Sequence, residues 1–564
     1  MRLRASFLIL TLFVICTASW AADAAPSAPA PVALTVSQVV DRFMAKEAEL
    51  VQTMRKFHPV VETYFQNTRP DADLGSVPAG DQYFLGRLDL SDGIEERFYT
   101  AEVQTGLFKK LMTPVRQMYS VDFSPLGFSS TIFVDRGRFD RNHYYFKFLR
   151  REFLGEVRTY VFEVVPKDKA GKGLFLGRIW VEDQDFNIVR FNGTYTNAPK
   201  WSYYFHMDSW RSNMRPGLWL PSHVYSEESD MTYSSLPLKR TMHFKAQTRL
   251  WGYELRTAGR QGEFTDMVID SGNVKDQVAA QQEVSPILSY RAWQREAEQN
   301  VVDRLEKAGL LAQTGEVDKV LETVANNLQI TNNLDIQPEI RCRVLLTTPL
   351  ESFTIGHTIV ISRGLLDVLP DEASLAMVLS HELANIALGD QIETKYAFAD
   401  RMWVADEDSF DDFQFHRDEG IEVAADAKAI ELLKNSPYKD KLPNAGLFLR
   451  QLQVRAAAMP NLIKPRMGNG LAFGDKVTRM AELMNGAPEL QARKLDQIPA
   501  LPLGGRIRLD AWDDHVELIK AQPVPLISAK EKMPFEVTPV IPHLTRLTGA
   551  DGKLSAAATS NGGN

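Results

Sequence analysis

Leu375-Ala-Met-Val-Leu-Ser-His-Glu-Leu-Ala-Asn-Ile-Ala-Leu388 is the stretch on which the fold reading turns. It is predominantly apolar and reads as a buried helix from about Ser374 to Leu388. On a helix, His381 and Asn385 are four positions apart and project from one face, one turn above the other. Glu382 stands beside the first of them.

The pattern is H-E-x-x-N. In the H-E-x-x-H zinc motif both histidines bind the metal, and the glutamate is the base acting on the metal-bound water. Downstream, Glu422-Val-Ala-Ala-Asp426 places a second pair of polar side chains on one helical face. A carboxylate from such a helix is what a two-His-plus-Glu catalytic site needs as its third ligand. An aspartate one turn on is suited to accept a hydrogen bond from the first histidine and fix its tautomer.

With these residues in view, Val317 to Leu433 resembles the gluzincin zinc metallopeptidases of the HtpX-type and CAAX-prenyl endopeptidase family. Three pieces carry the likeness in order: Gly356-His-Thr-Ile-Val-Ile-Ser-Arg-Gly-Leu-Leu-Asp367, Asp371-Glu-Ala-Ser-Leu-Ala-Met-Val-Leu-Ser-His-Glu382, and Glu422-x-x-Ala-Asp426. The resemblance implies that the first piece supplies the substrate-binding edge strand and a turn into a helix. It further implies His381 as the first zinc ligand, Glu382 as the general base, Glu422 as the third ligand and Asp426 as the group orienting His381. Asn385 stands where the second metal ligand belongs. The implied substrate is a protein or peptide, and the family's membrane spans are missing, as in its secreted periplasmic members.

Asn385 is the departure. Structural zinc sites release on the order of 10–16 kcal/mol over about four ligands, so a lost imidazole weakens binding by roughly 3 kcal/mol, or about a hundredfold. An amide oxygen is a weaker donor for zinc than an imidazole nitrogen. His416, six positions before Glu422, is a possible substitute ligand, and Asp390 just past the helix is another. His357 reads as a strand-face residue.

Working outward, the 564 residues are 44% hydrophobic and 24% charged, which specifies a well-cored chain of two or three domains. The net charge of −8 argues against a nucleic-acid partner, which would require a basic stripe. Arg2 and Arg4, the apolar run Phe7 to Cys16 and a small-x-small site near Ser19-Trp20-Ala21 read as a cleaved signal peptide within residues 1–24. An Ala/Pro-rich tether follows over 25–34. No later apolar run is long enough to span a bilayer. After cleavage Cys342 stands alone, on a strand expected over Ile340 to Leu346, and reads as a buried structural thiol.

The fold class expected is α+β. Residues 35–272 form a β-rich unit, with a helical pattern over 35–70 and short alternating strands from about Gln82 to Leu255. They suggest a half-barrel-like antiparallel sheet over a helix, resembling periplasmic lipoprotein-carrier domains. Its aromatic residues, including Tyr144, Tyr145, Phe146, Phe148, Trp180, Trp201, Tyr203, Tyr204 and Phe205, suit either a core or an apolar cavity for a lipid. Residues 285–490 form a mostly helical zincin-like unit with a small edge sheet, 491–547 a β-rich closing element, and 548–564 a disordered tail. The functional expectation is a periplasmic or secreted zinc metalloendopeptidase-like protein, hydrolysing peptide bonds through zinc-activated water with Glu382 as base. Two alternatives are an inactive pseudopeptidase serving as a binding or chaperone module, and a lipid or lipoprotein carrier acting through the N-terminal unit.

Overall fold

The computed structural model describes residues 34–71, 75–90, 95–98, 128, 130–168, 171, 173–196, 206–233, 240–253, 286–389, 414–473, 476–490, 507–510, 515–518 and 544–547. The expected signal peptide, the C-terminal tail, Asp390 and Trp201 to Phe205 lie outside them.

Helix α1 (Val36–Met54) opens on a capping box: the Gln38 backbone N–H donates to the Thr35 hydroxyl, and the Gln38 side chain accepts from the Thr35 backbone. Val39, Val40, Phe43, Leu50 and Met54 form its buried face. Glu47 lies on that face too, fully buried, and is held by two hydrogen bonds from Arg211 at 2.6 and 2.8 Å. This pair pins the helix to the sheet beneath it.

That sheet has ten antiparallel strands: β1 (Val60–Asp71), β2 (Gly75–Asp89), β3 (Glu95–Phe98), β4 (Tyr144–Leu154), β5 (Val157–Pro166), β6 (Phe175–Glu182), β7 (Ile188–Tyr195), β8 (Met207–Arg215), β9 (Leu218–Tyr233) and β10 (Arg240–Trp251). Their order is β3-β2-β1-β10-β9-β8-β7-β6-β5-β4. Strands therefore begin at Val60, within the stretch whose pattern suggested helix. Pro59 cannot continue the helix and restricts the residue before it. Val60 packs into one core and Val61 into another, so burial on both faces erases the alternation that marks a strand.

The aromatic residues of the sheet are largely core. Phe43 of α1 meets Phe139, Phe146 and Phe162 with ring centroids 5.2–6.0 Å apart. Trp180, Trp210 and Trp219 belong to a separate cluster, completed by Leu544 from near the C-terminus. Arg546 beside it pairs with Glu182 at 2.7 Å.

The C-terminal part consists of α2 (Pro286–Lys307), α3 (Glu316–Thr331), β11 (Arg341–Leu345), β12 (Glu351–Ile355), β13 (Thr358–Ser362), α4 (Arg363–Val368), α5 (Glu372–Ala387), α6 (Glu419–Lys434), α7 (Leu442–Ala456), α8 (Pro460–Ile463) and β14 (Asn469–Gly470). With the ten-stranded sheet, this makes an α+β fold. The four strands run β11-β13-β12-β14. The strand expected at the substrate-binding edge, β13, is therefore internal: β11 pairs with it in parallel and β12 antiparallel. All five of its residues are buried, as a strand covered on both faces and both edges must be. Next to the α5 site lies β12 instead, and β14 pairs with its first two residues.

The two parts share a core in which Val60, Tyr64, Tyr83, Leu85 and Trp251 pack with the C-terminal helices. At this junction Glu62 accepts from Arg249, from the Tyr83 hydroxyl at 2.9 Å, and from both the backbone N–H and hydroxyl of Thr348 at 2.6 and 2.9 Å. Cys342 is buried, and burial pushes its thiol well up.

Candidate active site

Helix α5 starts where the Asp371 side chain accepts the Ser374 backbone N–H at 2.9 Å, and nearly every residue from Ala373 to Ile386 is buried. His381, Glu382 and Asn385 are at most 1% exposed. Helix α6 packs beside it and brings Glu422 and Asp426 to the same point. The Nδ1 of His381 donates to Oδ1 of Asp426 at 2.8 Å, and its Nε2 lies 3.3 Å from Oε2 of Glu422. The second contact is close enough for an ion pair, but it lacks hydrogen-bond alignment. His381 and Glu382 of α5 are thus brought together with Glu422 and Asp426 of α6.

Asn385 lies on the same helix, yet neither its amide nitrogen nor its oxygen has a hydrogen-bond partner. His416 is exposed, with its Nδ1 3.0 Å from Oδ1 of Asn469. His357 pairs with Glu298 of α2 at 3.0 Å.

One participant carries no motif: Arg479. Its Nη1 donates to Glu382 Oε1 at 2.8 Å and to the Ser352 hydroxyl at 3.0 Å, while its Nε donates to Glu422 Oε2 at 2.7 Å. Ser352 of β12 in turn donates to Glu382 Oε1 at 2.7 Å. The arginine follows a short β-hairpin, Ala472–Phe473 with Lys476–Val477, and precedes Met480, whose φ of 56° is left-handed. The Met480 N–H donates to Asp426 Oδ2 at 2.8 Å, which holds this sparsely populated conformation in place. The only sequence signal was a lone arginine in a turn-like stretch.

The charges are mutually adjusted. Burial would raise the Glu422 carboxyl, but His381 and Arg479 hold it far below the usual carboxylate range. Burial and the Arg479 charge push the His381 imidazole down, and Asp426, Glu422 and Glu382 more than reverse this, leaving it raised. A second guanidinium, Arg417, reaches Thr354 of β12 and feels both Glu382 and Glu422, while its burial lowers it. Phe415, two residues earlier, stacks on Phe353 with centroids 4.6 Å apart.

Whether such a site suits zinc depends on its donors. The 3.3 Å between His381 Nε2 and Glu422 Oε2 is close to the separation of two donors on one tetrahedral ion with bonds of about 2.1 Å. The third protein donor is an amide, and among the described residues no group of three His, Cys, Asp or Glu side chains is placed to hold a metal. Glu422 Oε2 already carries a guanidinium at 2.7 Å. A dication on that oxygen would lie within about 5 Å of it, a repulsion of about 7 kcal/mol at an effective dielectric of about 20. With an amide as the third protein donor and a guanidinium on Glu422, these residues do not fit a catalytic zinc.

Residues 311–404 match the family model of peptidase family M48, which consists of zinc metallopeptidases. The match takes in β11 to β13 and all of α5, and stops before Glu422 and Asp426. It supports a metallopeptidase-type function for this part of the chain. No curated protein matches the chain. Among solved structures, a LolA superfamily protein from Nitrosomonas europaea is similar at 12% identity, covering 40% of this chain and 95% of its own, with a TM-score of 0.20. A domain described as outer membrane lipoprotein-sorting, from Vibrio parahaemolyticus, is similar at 10% identity, covering 40% and 97%, with a TM-score of 0.16. No described helix is long and apolar enough to cross a membrane.

Proposed function

We propose that this is an exported pseudopeptidase: a metallopeptidase-type scaffold of the HtpX and CAAX-prenyl endopeptidase kind that works without hydrolysis, as a binding or chaperone module for polypeptides outside the cytoplasm. The family match over residues 311–404 supports the scaffold and the polypeptide class of partner. The targeting character of residues 1–24 supports export. The observation that carries the loss of hydrolysis is the residue at the position of the second metal ligand: Asn385, a fully buried amide where an imidazole belongs.

Catalysis in such scaffolds depends on a metal that lowers the pKa of a bound water to about 7. A site with two donors and a resident guanidinium has little means to retain that ion. Glu382, the would-be base, accepts from Ser352 and Arg479 through Oε1, while its Oε2 is buried without a hydrogen-bond partner. The chain retains two helices, a small sheet and a buried polar knot between them.

The test is proteolysis. The mature chain, purified without added metal, is incubated with casein, with and without chelator. The expected result is no cleavage above background in either arm. Chelator-sensitive cleavage by the wild-type chain, abolished by Glu382→Gln, would overturn the reading.

A further inference from the structure

We infer that the groove beside β12 selects polypeptides with an aromatic residue two positions before a basic one, and that residues 414–418 of the chain itself occupy it in cis. The inference rests on the polypeptide-binding reading and adds the side chains that such a partner presents.

Strand β14 pairs only with Glu351 and Ser352 of β12, so among the described residues the edge over 353–355 has no strand partner on that side. Residues 414–418 lead into α6 outside any regular element, and their exposure alternates: Phe415 and Arg417 are partly buried, while Gln414, His416 and Asp418 are exposed. A period of two is that of an extended chain laid with one face on a surface. The backbone is held as a docked peptide is held, through main-chain hydrogen bonds. The Phe415 N–H donates to the Met467 carbonyl at 2.6 Å, and the Arg417 N–H donates to Oδ1 of Asn469 at 3.3 Å. The Asn469 amide donates back to the Arg417 carbonyl at 3.4 Å.

Two side chains of the segment fill two chemically different positions. Phe415 stacks on Phe353 with 1° between the ring planes, an arrangement that takes a flat aromatic ring. Arg417 reaches the Thr354 hydroxyl and lies in the field of Glu382 and Glu422. Three carboxylates (Glu382, Glu422 and Asp426) face Arg479 and the His381 imidazole, so they remain one positive charge short even with that ring protonated. Arg417 supplies the missing charge. A polypeptide that displaces the segment therefore has to bring a ring for Phe353 and a cation for the carboxylates, spaced as Phe415 and Arg417 are. Occupation in cis lowers the apparent affinity for such a partner by the fraction of molecules in which the groove is open.

The experiment uses the full mature chain and the double variant Phe415→Ala with Arg417→Ser, its folding checked by circular dichroism. The probe is a fluorescein-labelled peptide bearing Gln-Phe-His-Arg-Asp between glycines, read by anisotropy. Two further peptides carry alanine for its phenylalanine or glutamate for its arginine. The double variant should bind the parent peptide about tenfold or more tightly than wild type does, and each peptide replacement should cost about tenfold or more. A second measurement needs no variant. In the wild type, millimolar parent peptide should speed hydrogen exchange at the Phe415 and Arg417 amides as they leave Met467 and Asn469, and the glutamate peptide should not.

No binding to the folded double variant, equal binding of the three peptides, or equal affinity of wild type and variant would overturn the inference. Should the double variant not fold, wild-type amides unmoved by the parent peptide would overturn it alone. Those results leave the loss of hydrolysis untouched, whereas chelator-sensitive cleavage by the wild type would overturn that reading and not the preference for an aromatic and a basic side chain.

Discussion

The His381 Nδ1 and the Asp426 Oδ1 lie 2.8 Å apart, although 45 positions separate them in the chain. This contact fixes the ring of a buried histidine and joins two helices. The same carboxylate accepts the Met480 N–H through its other oxygen. Asp426→Ala removes an acceptor from two buried donors at once. At roughly 1–3 kcal/mol for each donor left unpaired, we expect a loss of about 2–5 kcal/mol, measurable by urea denaturation. A loss below about 0.5 kcal/mol would mean that neither donor depends on it.

Asn385 gives a prediction of opposite sign. Both polar atoms of its amide are buried without partners, so they incur a desolvation cost with no return. Asn385→Leu, which keeps the branching and heavy-atom count of the side chain, should leave stability unchanged or raise it by about 1 kcal/mol. Should the variant instead lose more than about 1 kcal/mol, the amide has a partner, such as a metal or a water, and the account of the site fails at that residue.

At the junction of the two parts, Glu62 is 1% exposed and accepts from Arg249, Tyr83 and Thr348. Removing one partner of a buried ion pair costs about 3–5 kcal/mol, because the other charge stays buried. Glu62→Ala should show that loss. It should also separate the unfolding of the sheet from that of the helices, so that tryptophan fluorescence and circular dichroism no longer report one coincident transition.

His223 sets a pH dependence. It stands directly across from Arg249 in the β9–β10 ladder and is 5% exposed. Burial, with the Arg363 and Arg249 charges, lowers its imidazole to about 3. In the unfolded chain it titrates near 6.5. Between these values the unfolded state holds a proton that the folded state does not. Its contribution to stability is therefore complete above pH 6.5 and is lost progressively as pH falls toward 3. His223→Leu should flatten the stability profile between pH 6.5 and 4 by up to one proton's slope; an unchanged slope would contradict the assignment.

Much of the site was legible because helical spacing is a local property. Four-residue separations placed His381 with Asn385, and Glu422 with Asp426, and the structure brings His381 to Glu422 and Asp426. Arg479 was not legible: it reaches Glu422 across 57 positions from a turn, with no periodicity to mark it. The antiparallel sheet over one helix was readable from β5 to β7, where alternation and turn residues are clear. Strand β1 was not, because it is buried on both faces. Strand order also escaped the sequence, although the unbroken apolar run Ile359-Val-Ile361 of β13 carried the mark of a central strand.

The most direct measurement is the zinc content of the mature wild-type chain, purified without added metal and dialysed against zinc-containing buffer, together with its melting temperature before and after EDTA. An amide at the position of the second ligand predicts far less than one zinc per chain and no change in melting on chelation. One tightly held zinc per chain, with a melting temperature that falls when it is removed, would contradict it.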